Sequence, residues 1–226
     1  MSTEGLTAQQ IADAGLEGWV LMVHYGLAGL QTRIHTDGFA GGTQLVTAIS
    51  GAALEMNHQA DIDLRAARVD VRLTSGYAAG GVTEVDLQLA RRISDIAAEK
   101  GFKPESRGVS VLEVGLDTPD HAAIAPFWAA VLDRRYVTGE GFADVGDPNQ
   151  LHPLIWFQKS GSEEPRQRWH FDVAIDPAQL RPRIEAAVAA GGSLVRGDDR
   201  SAILADPDGN RVCLTTWAPD RDLPNG

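Results

Sequence analysis

Residues 55–65 read Glu-Met-Asn-His-Gln-Ala-Asp-Ile-Asp-Leu-Arg, and the same stretch runs on to Gly80-Gly81-Val82-Thr83-Glu84-Val85-Asp86. It decides the fold of the first half because it sets one histidine between a helix, a strand and a second helix. Upstream, Phe39, Val46, Ile49, Ala53 and Met56 recur near the helical repeat, which predicts a helix with one apolar face that runs out near Asn57-His58. Downstream, Ile62, Leu64, Val69, Val71 and Leu73 alternate with polar residues, as a half-buried strand does. Gly80-Gly81 predicts a turn. Thr83 followed by Asp86 predicts a capping box opening a helix whose Val85, Leu89, Ile93 and Ile96 share one side.

Working outward, residues 6–15 predict a short helix, and Gly18-Trp19 through Val23 and Leu27 through His35 predict a strand hairpin. Thr36 or Asp37 is the expected cap of the Phe39–Met56 helix, despite Gly41 and Gly42, each costing about 1 kcal/mol relative to alanine. Lys100-Gly101 ends the helix from Thr83, and the polar, Pro- and Gly-bearing run 103–108 reads as a linker. Two domains are expected, 1–103 and 104–226, each with enough apolar periodicity to bury a core.

The order helix, histidine, strand, glycine turn, helix resembles the pterin-4a-carbinolamine dehydratase family over roughly residues 6–98. Leu6-Thr7-Ala8-Gln9-Gln10-Ile11, Gly18-Trp19, Asn57-His58, Asp61-Ile62-Asp63-Leu64, Leu73-Thr74 and Ala79-Gly80-Gly81-Val82-Thr83 with Asp86 follow in the family's order. The resemblance implies a lyase that dehydrates a 4a-hydroxytetrahydropterin without a cofactor, with His58 in proton transfer, Asp86 supporting it, and Asn57, Gln59 and Asp61 around the substrate. The family's pattern is only partly present. Gln59 and Ala60 stand where a second histidine and a proline belong, Ala66 where an aromatic belongs, and a third histidine falls on Gly76 or Tyr77, of which Tyr77 could supply a proton. Expelling hydroxide requires one proton delivered and one removed, and a single acid-base group contributes ~10²–10⁴-fold. The competing reading makes His58 a helix-end imidazolium satisfying terminal carbonyls, and Asp86 the capping carboxylate alone.

From Val109 the pattern changes to a strand, a helix over His121–Leu132 and shorter strands ending at 154–158. The same order then returns, with a strand over 169–175, a helix from Pro177 to Ala190, and strands at 193–196, 202–205 and 211–216. Asp206-Pro207-Asp208-Gly209-Asn210 predicts a tight turn. Phe127-Trp128, Trp169-His170-Phe171-Asp172 and that turn with Arg211-Val212-Cys213-Leu214 resemble the vicinal-oxygen-chelate superfamily of glyoxalase, bleomycin-resistance and extradiol-dioxygenase proteins, in its glyoxalase-like subgroup. The resemblance implies paired β-α-β-β-β modules and carries the superfamily's metal-ligand positions onto Glu113, Gln158, His170 and Cys213. A divalent metal held by Glu113, Gln158 and His170 is one reading, with Cys213 disfavouring the hard-ion members. The other is a metal-free organic-ligand pocket in which Trp128 and Trp156 contact the ligand.

A net charge of −11, a pI near 4.9 and the lack of any long Lys or Arg run argue against nucleic acid as a ligand. No signal-peptide pattern and no apolar run near ~20 residues predict a soluble, cytoplasmic protein without a membrane partner. One cysteine excludes an intrachain disulfide and a Cys-rich zinc site. His24, His35, His121 and His152 read as surface residues. The expected fold class is α+β, helices on an antiparallel sheet followed by the paired-module domain, and both resemblances imply a homodimer. Three functions stay open: a dehydratase with a reduced histidine set acting on a pterin-like small molecule, a metal-assisted isomerase or dioxygenase in the second half, or ligand binding without turnover.

Overall fold

The computed structural model describes residues 5–24, 27–107, 109, 113–139, 142–146, 152–159, 171–175 and 177–216. The chain divides into two compact units, Met1–Val111 and Leu112–Gly226.

The first unit contains α1 (Ala8–Asp13), β1 (Val20–His24), β2 (Leu27–His35), α2 (Phe39–Glu55), β3 (Asp61–Arg65), β4 (Arg68–Leu73), α3 (Glu84–Glu99) and β5 (Pro104–Glu105). The sheet is antiparallel in the order β1-β2-β4-β3, with β5 paired to β2. Alternation explains its layering: Leu30, Ile34, Val69, Val71 and Leu73 face α2 and α3, where they meet Leu45, Ile49, Leu89 and Ile93. Each such fully buried aliphatic side chain contributes roughly 1.5–3 kcal/mol. The opposite face carries Gln31, Arg33, Arg68, Asp70 and Arg72.

Three local expectations change. The strand expected through residues 62–73 is two strands, reversing at Ala66-Ala67 with Arg65 opposite Arg68. Neither alanine is a turn signal, so alternation alone concealed the reversal. The N-cap of α2 is Gly38, not Thr36 or Asp37, because the Thr36 hydroxyl is spent on the Gly38 carbonyl at 3.0 Å. The boundary expected at 104 gives way to a division after Val111, because Pro104-Glu105 joins the first sheet opposite Ile34 and Arg33 instead of linking the units.

The second unit repeats one pattern. β6 (Glu113–Thr118), α4 (His121–Leu132), β7 (Arg135–Gly139), β8 (Phe142–Gly146) and β9 (Leu154–Lys159) form the first module. β10 (Phe171–Ile175), α5 (Pro177–Ala189), β11 (Ser193–Gly197), β12 (Ser201–Ala205) and β13 (Arg211–Thr216) form the second. Their sheets have matching orders, β6-β9-β8-β7 and β10-β13-β12-β11, with β6 parallel to β9 and β10 parallel to β13. Pro126 and Pro182 fall at the same place in α4 and α5. One core, including Ile124, Phe127, Trp128, Ile155, Leu204, Val212 and Leu214, joins the modules.

Candidate functional site

His58 owes its position to how α2 ends. Asn57 adopts a left-handed conformation, φ 49°, and the Asn57 and His58 amides donate to the carbonyls of Leu54 and Ala53 at 3.0 and 2.9 Å. These two bonds form a Schellman closure, with Asn57 as its left-handed residue. Asn57, expected beside the substrate, is therefore the residue that turns the chain. The closure also removes the helix-end reading of His58, since backbone amides already satisfy those carbonyls and the imidazole points elsewhere.

The imidazole reaches Asp86, with Nε2 to Oδ1 at 2.8 Å. Asp86 is completely buried at the start of α3 and divides its oxygens between two tasks. Oδ2 accepts from the Thr83 amide at 2.7 Å, which is the capping bond the sequence predicts, and from the Ser75 hydroxyl at 2.7 Å. Thr83 Oγ1 lies 3.1 Å from the same oxygen and 2.8 Å from Ser75 Oγ. Oδ1 is left for the histidine. Every neighbour of this carboxylate is a donor, so Nε2 carries a proton and Nδ1 is the basic ring atom. Nδ1 has no partner among the described residues and is not among the buried unpaired atoms, while the ring keeps 14% of its surface exposed. The arrangement is a carboxylate-oriented imidazole with one nitrogen open to a ligand.

Ser75 was not anticipated. It ends the run that starts in β4, and its amide donates to the Gly81 carbonyl at 2.8 Å, closing the loop that carries the hydroxyl to Asp86. Gly76, one of two places for the third histidine, has φ +82°, which a histidine would adopt only with strain. Tyr77, the other, has its side chain outside the described residues. Gln59 is exposed, and Asp61 is three-quarters exposed with Oδ2 3.3 Å from Arg72 Nη1.

In the second unit, the ladder gives the backbone register of two residues of the expected metal set. Glu113 lies opposite Leu154, whereas Gln158 lies opposite Asp117. Gln158 is thus four residues further along β9 than Glu113's partner, roughly 13 Å at the rise of a strand. The Glu113 and Gln158 side chains and all of His170 lie outside the described residues. In register, the module positions matching Asp172 and Cys213 are Gly115 and Trp156.

Trp128, expected in a ligand pocket, is core. It has no exposed surface, packs edge-on against Phe127 and Phe171, and donates Nε1–H to Asp206 Oδ2 at 3.0 Å. Asp206 also accepts from the Asp208 and Asn210 amides and from Asn210 Nδ2 at 2.8–2.9 Å. Burial pushes its carboxyl above the ordinary range, more than the Asn210 and Trp128 bonds draw it down. Trp156 differs in keeping 38% of its surface exposed on the face away from the core, where Gly115 leaves room for the indole: a Cβ there would stand 3.1 Å from the ring. His121, read as a surface residue, is exposed, with Nδ1 2.8 Å from the Tyr136 hydroxyl. Among the described residues, no helix is long and apolar enough to cross a membrane.

The family profile "Pterin 4 alpha carbinolamine dehydratase" matches residues 4–96, and "Glyoxalase-like domain" matches residues 113–215. A Streptomyces coelicolor protein named "Putative pterin-4-alpha-carbinolamine dehydratase" is 34% identical over 105 residues, 45% of this chain and 98% of that protein. A solved structure described as a transcriptional coactivator/pterin dehydratase from Brucella melitensis is 26% identical, covers 41% of this chain and 97% of its own, and has a TM-score of 0.37. A glyoxalase/bleomycin resistance protein/dioxygenase family enzyme from Burkholderia phytofirmans is 18% identical, with 46% and 95% covered and a TM-score of 0.39. The chain belongs to the pterin-4-alpha-carbinolamine dehydratase family and carries a glyoxalase-like domain behind its dehydratase-like domain.

Proposed function

We propose that the first domain is a hydro-lyase that removes water from a 4a-hydroxytetrahydropterin using one histidine. The observation that carries this reading is the 2.8 Å contact of His58 Nε2 with a fully buried Asp86 whose other oxygen is already engaged. Net loss of water requires a proton to leave the ring nitrogen, the C4a–O bond to break, and a proton to reach the departing oxygen. His58 does both in turn. Nδ1 takes the ring proton, Asp86 stabilises the imidazolium, and the same Nδ1 gives the proton to the leaving hydroxide, so the count balances without a second histidine. The reaction calls for no cofactor. The second domain binds a small organic ligand, for which the exposed face of Trp156 offers a stacking surface. The strongly negative net charge favours small molecules over nucleic acid as partners.

The test is stopped-flow dehydration of a 4a-hydroxytetrahydropterin. The intact protein accelerates the reaction above buffer, and His58→Ala lowers that acceleration by ~10²–10⁴-fold. Asp86→Asn, which retains the ring but offers only one acceptor oxygen to its donors, lowers it on the order of 10²-fold through misplacement. A rate equal to buffer for the intact protein, or full activity in His58→Ala, sinks the proposal.

A further inference from the structure

Three separate segments meet at Asp86, and they constrain its carboxylate differently. The Thr83 amide and Thr83 Oγ1, 2.7 and 3.1 Å from Oδ2, belong to the cap of Asp86's own helix and move with it. His58 arrives from the end of α2, 28 residues away in sequence. Ser75, 11 residues away, is the one donor to Oδ2 among the described residues that comes from outside the cap, at 2.7 Å. The terminal torsion of an aspartate is broad, so donors from its own helix end leave the carboxylate plane free to turn. A donor from a second segment fixes that plane, and with it the direction of Oδ1.

Ser75 is itself held firmly. Its amide donates to the Gly81 carbonyl at 2.8 Å, and the Gly81 amide donates to Gly76 at 3.0 Å. Next to it, the Thr74 hydroxyl donates to the Ala28 carbonyl of β2 at 2.9 Å and accepts from the Gly76 amide at 3.2 Å. The hydroxyl of Ser75 therefore ties Asp86 to the sheet. Proton counting gives it a direction: with its one proton on Oδ2, its oxygen is left to accept from Thr83 Oγ1 at 2.8 Å. Thr83, Ser75 and Asp86 then form a chain in which each bond polarises the next, ending on the oxygen pair that His58 shares.

We propose that Ser75 is a positioning residue for His58: its hydroxyl fixes the Asp86 carboxylate so that Oδ1 stays on Nε2 and the basic Nδ1 is the atom offered to the ligand. Ser75 acts through Asp86 and not on the reacting atoms. Its effect on turnover rests on the dehydratase reading, whereas its effect on the ring does not.

The experiment is nitrogen-15 NMR of the histidine rings in the full chain at mildly alkaline pH, with the His58 signals assigned by their loss in His58→Gln. The parent shows the Nε2–H tautomer with a slowly exchanging ring proton. Ser75→Ala populates the Nδ1–H tautomer, speeds exchange of that proton, and lowers kcat by roughly 10- to 100-fold with KM nearly unchanged, as misplacement of an intact group does. Ser75→Thr, which keeps the hydroxyl, restores the tautomer, the exchange rate and kcat. Should Ser75→Ala fail to fold, Ser75→Cys keeps the size with a weak donor and is read in the same way. A parent-like tautomer and exchange rate in a folded Ser75→Ala or Ser75→Cys protein overturns the proposal, as does an equal loss in Ser75→Ala and Ser75→Thr, which would trace the effect to packing. A parent that dehydrates no pterin, yet shows the tautomer change in Ser75→Ala, sinks the dehydratase reading and supports the positioning of His58 by Ser75.

Discussion

Each half of the chain contains a buried aspartate that accepts a hydrogen bond from an aromatic ring nitrogen, and the two differ in what the ring can do next. Asp86 holds His58 at 2.8 Å and the Thr83 amide at 2.7 Å. Asp206 holds Trp128 at 3.0 Å and the amides of Asp208 and Asn210. In both, a carboxylate ties a turn to a distant ring. The indole has no second nitrogen and no exposed surface, so its bond can only stabilise. The imidazole has a second, basic nitrogen and some exposure, so the same bond orients a group that exchanges protons. A carboxylate against a ring is therefore read through the ring's far side.

The largest effect that would break this comparison is on stability in the second half. Asp206→Ala leaves the Trp128 N–H and two turn amides without their acceptor and is expected to cost about 3 kcal/mol or more. Asp86→Ala loses a cap and an oriented histidine and is expected to cost about 1–2 kcal/mol while reducing turnover. Denaturant unfolding followed by tryptophan emission measures the first, because four of the five tryptophans lie beyond residue 112. An Asp206→Ala protein as stable as the parent would show that the indole bond is incidental.

Trp128→Phe sharpens the comparison by removing the donor alone. It keeps an aromatic ring between Phe127 and Phe171 and leaves Asn210 Nδ2 as the remaining donor to Asp206 Oδ2, so a midpoint change equivalent to about 1 kcal/mol is expected. The smallest effect comes from a carboxylate that faces guanidinium groups instead of a ring. Partial burial pushes the Asp70 carboxyl up, but Arg33 and Arg68 draw it down further, to below the ordinary carboxylate range. Its stabilisation is thus complete above that range and is lost as pH falls through the depressed value. Asp70→Asn should cost no more than about 1 kcal/mol near neutrality, and its difference from the parent should vanish on acidification; a constant difference would refute the ion-pair account.

Most of the fold was legible because it rests on local pattern: the α2 and α3 periodicities, the Thr83–Asp86 cap and the repeated order of the second half all lie where their residues predict. His58 and Asp86 were legible as candidates, but their contact depends on the β3–β4 hairpin, whose Ala66-Ala67 reversal carries no turn residue. Ser75 had no signal, since a serine after a strand is ordinary until a carboxylate is seen beside it. Trp128 was misassigned because its partner, Asp206, is 78 residues away. The register that sets Glu113 opposite Leu154 and Gln158 opposite Asp117 had no signal either, because strand register is a tertiary property that neither strand states on its own.

The short pairing of Pro104-Glu105 with Arg33 and Ile34 bears on how the two domains could be exchanged. A cut made where the composition changes, at residue 103, would strip an edge from the first sheet and uncover main-chain groups of β2. A cut placed after Glu105 leaves that ladder intact. The seam at which a different C-terminal partner could be spliced on therefore lies in the segment leading to Val111, and shuffled chains joined there should retain a folded first domain.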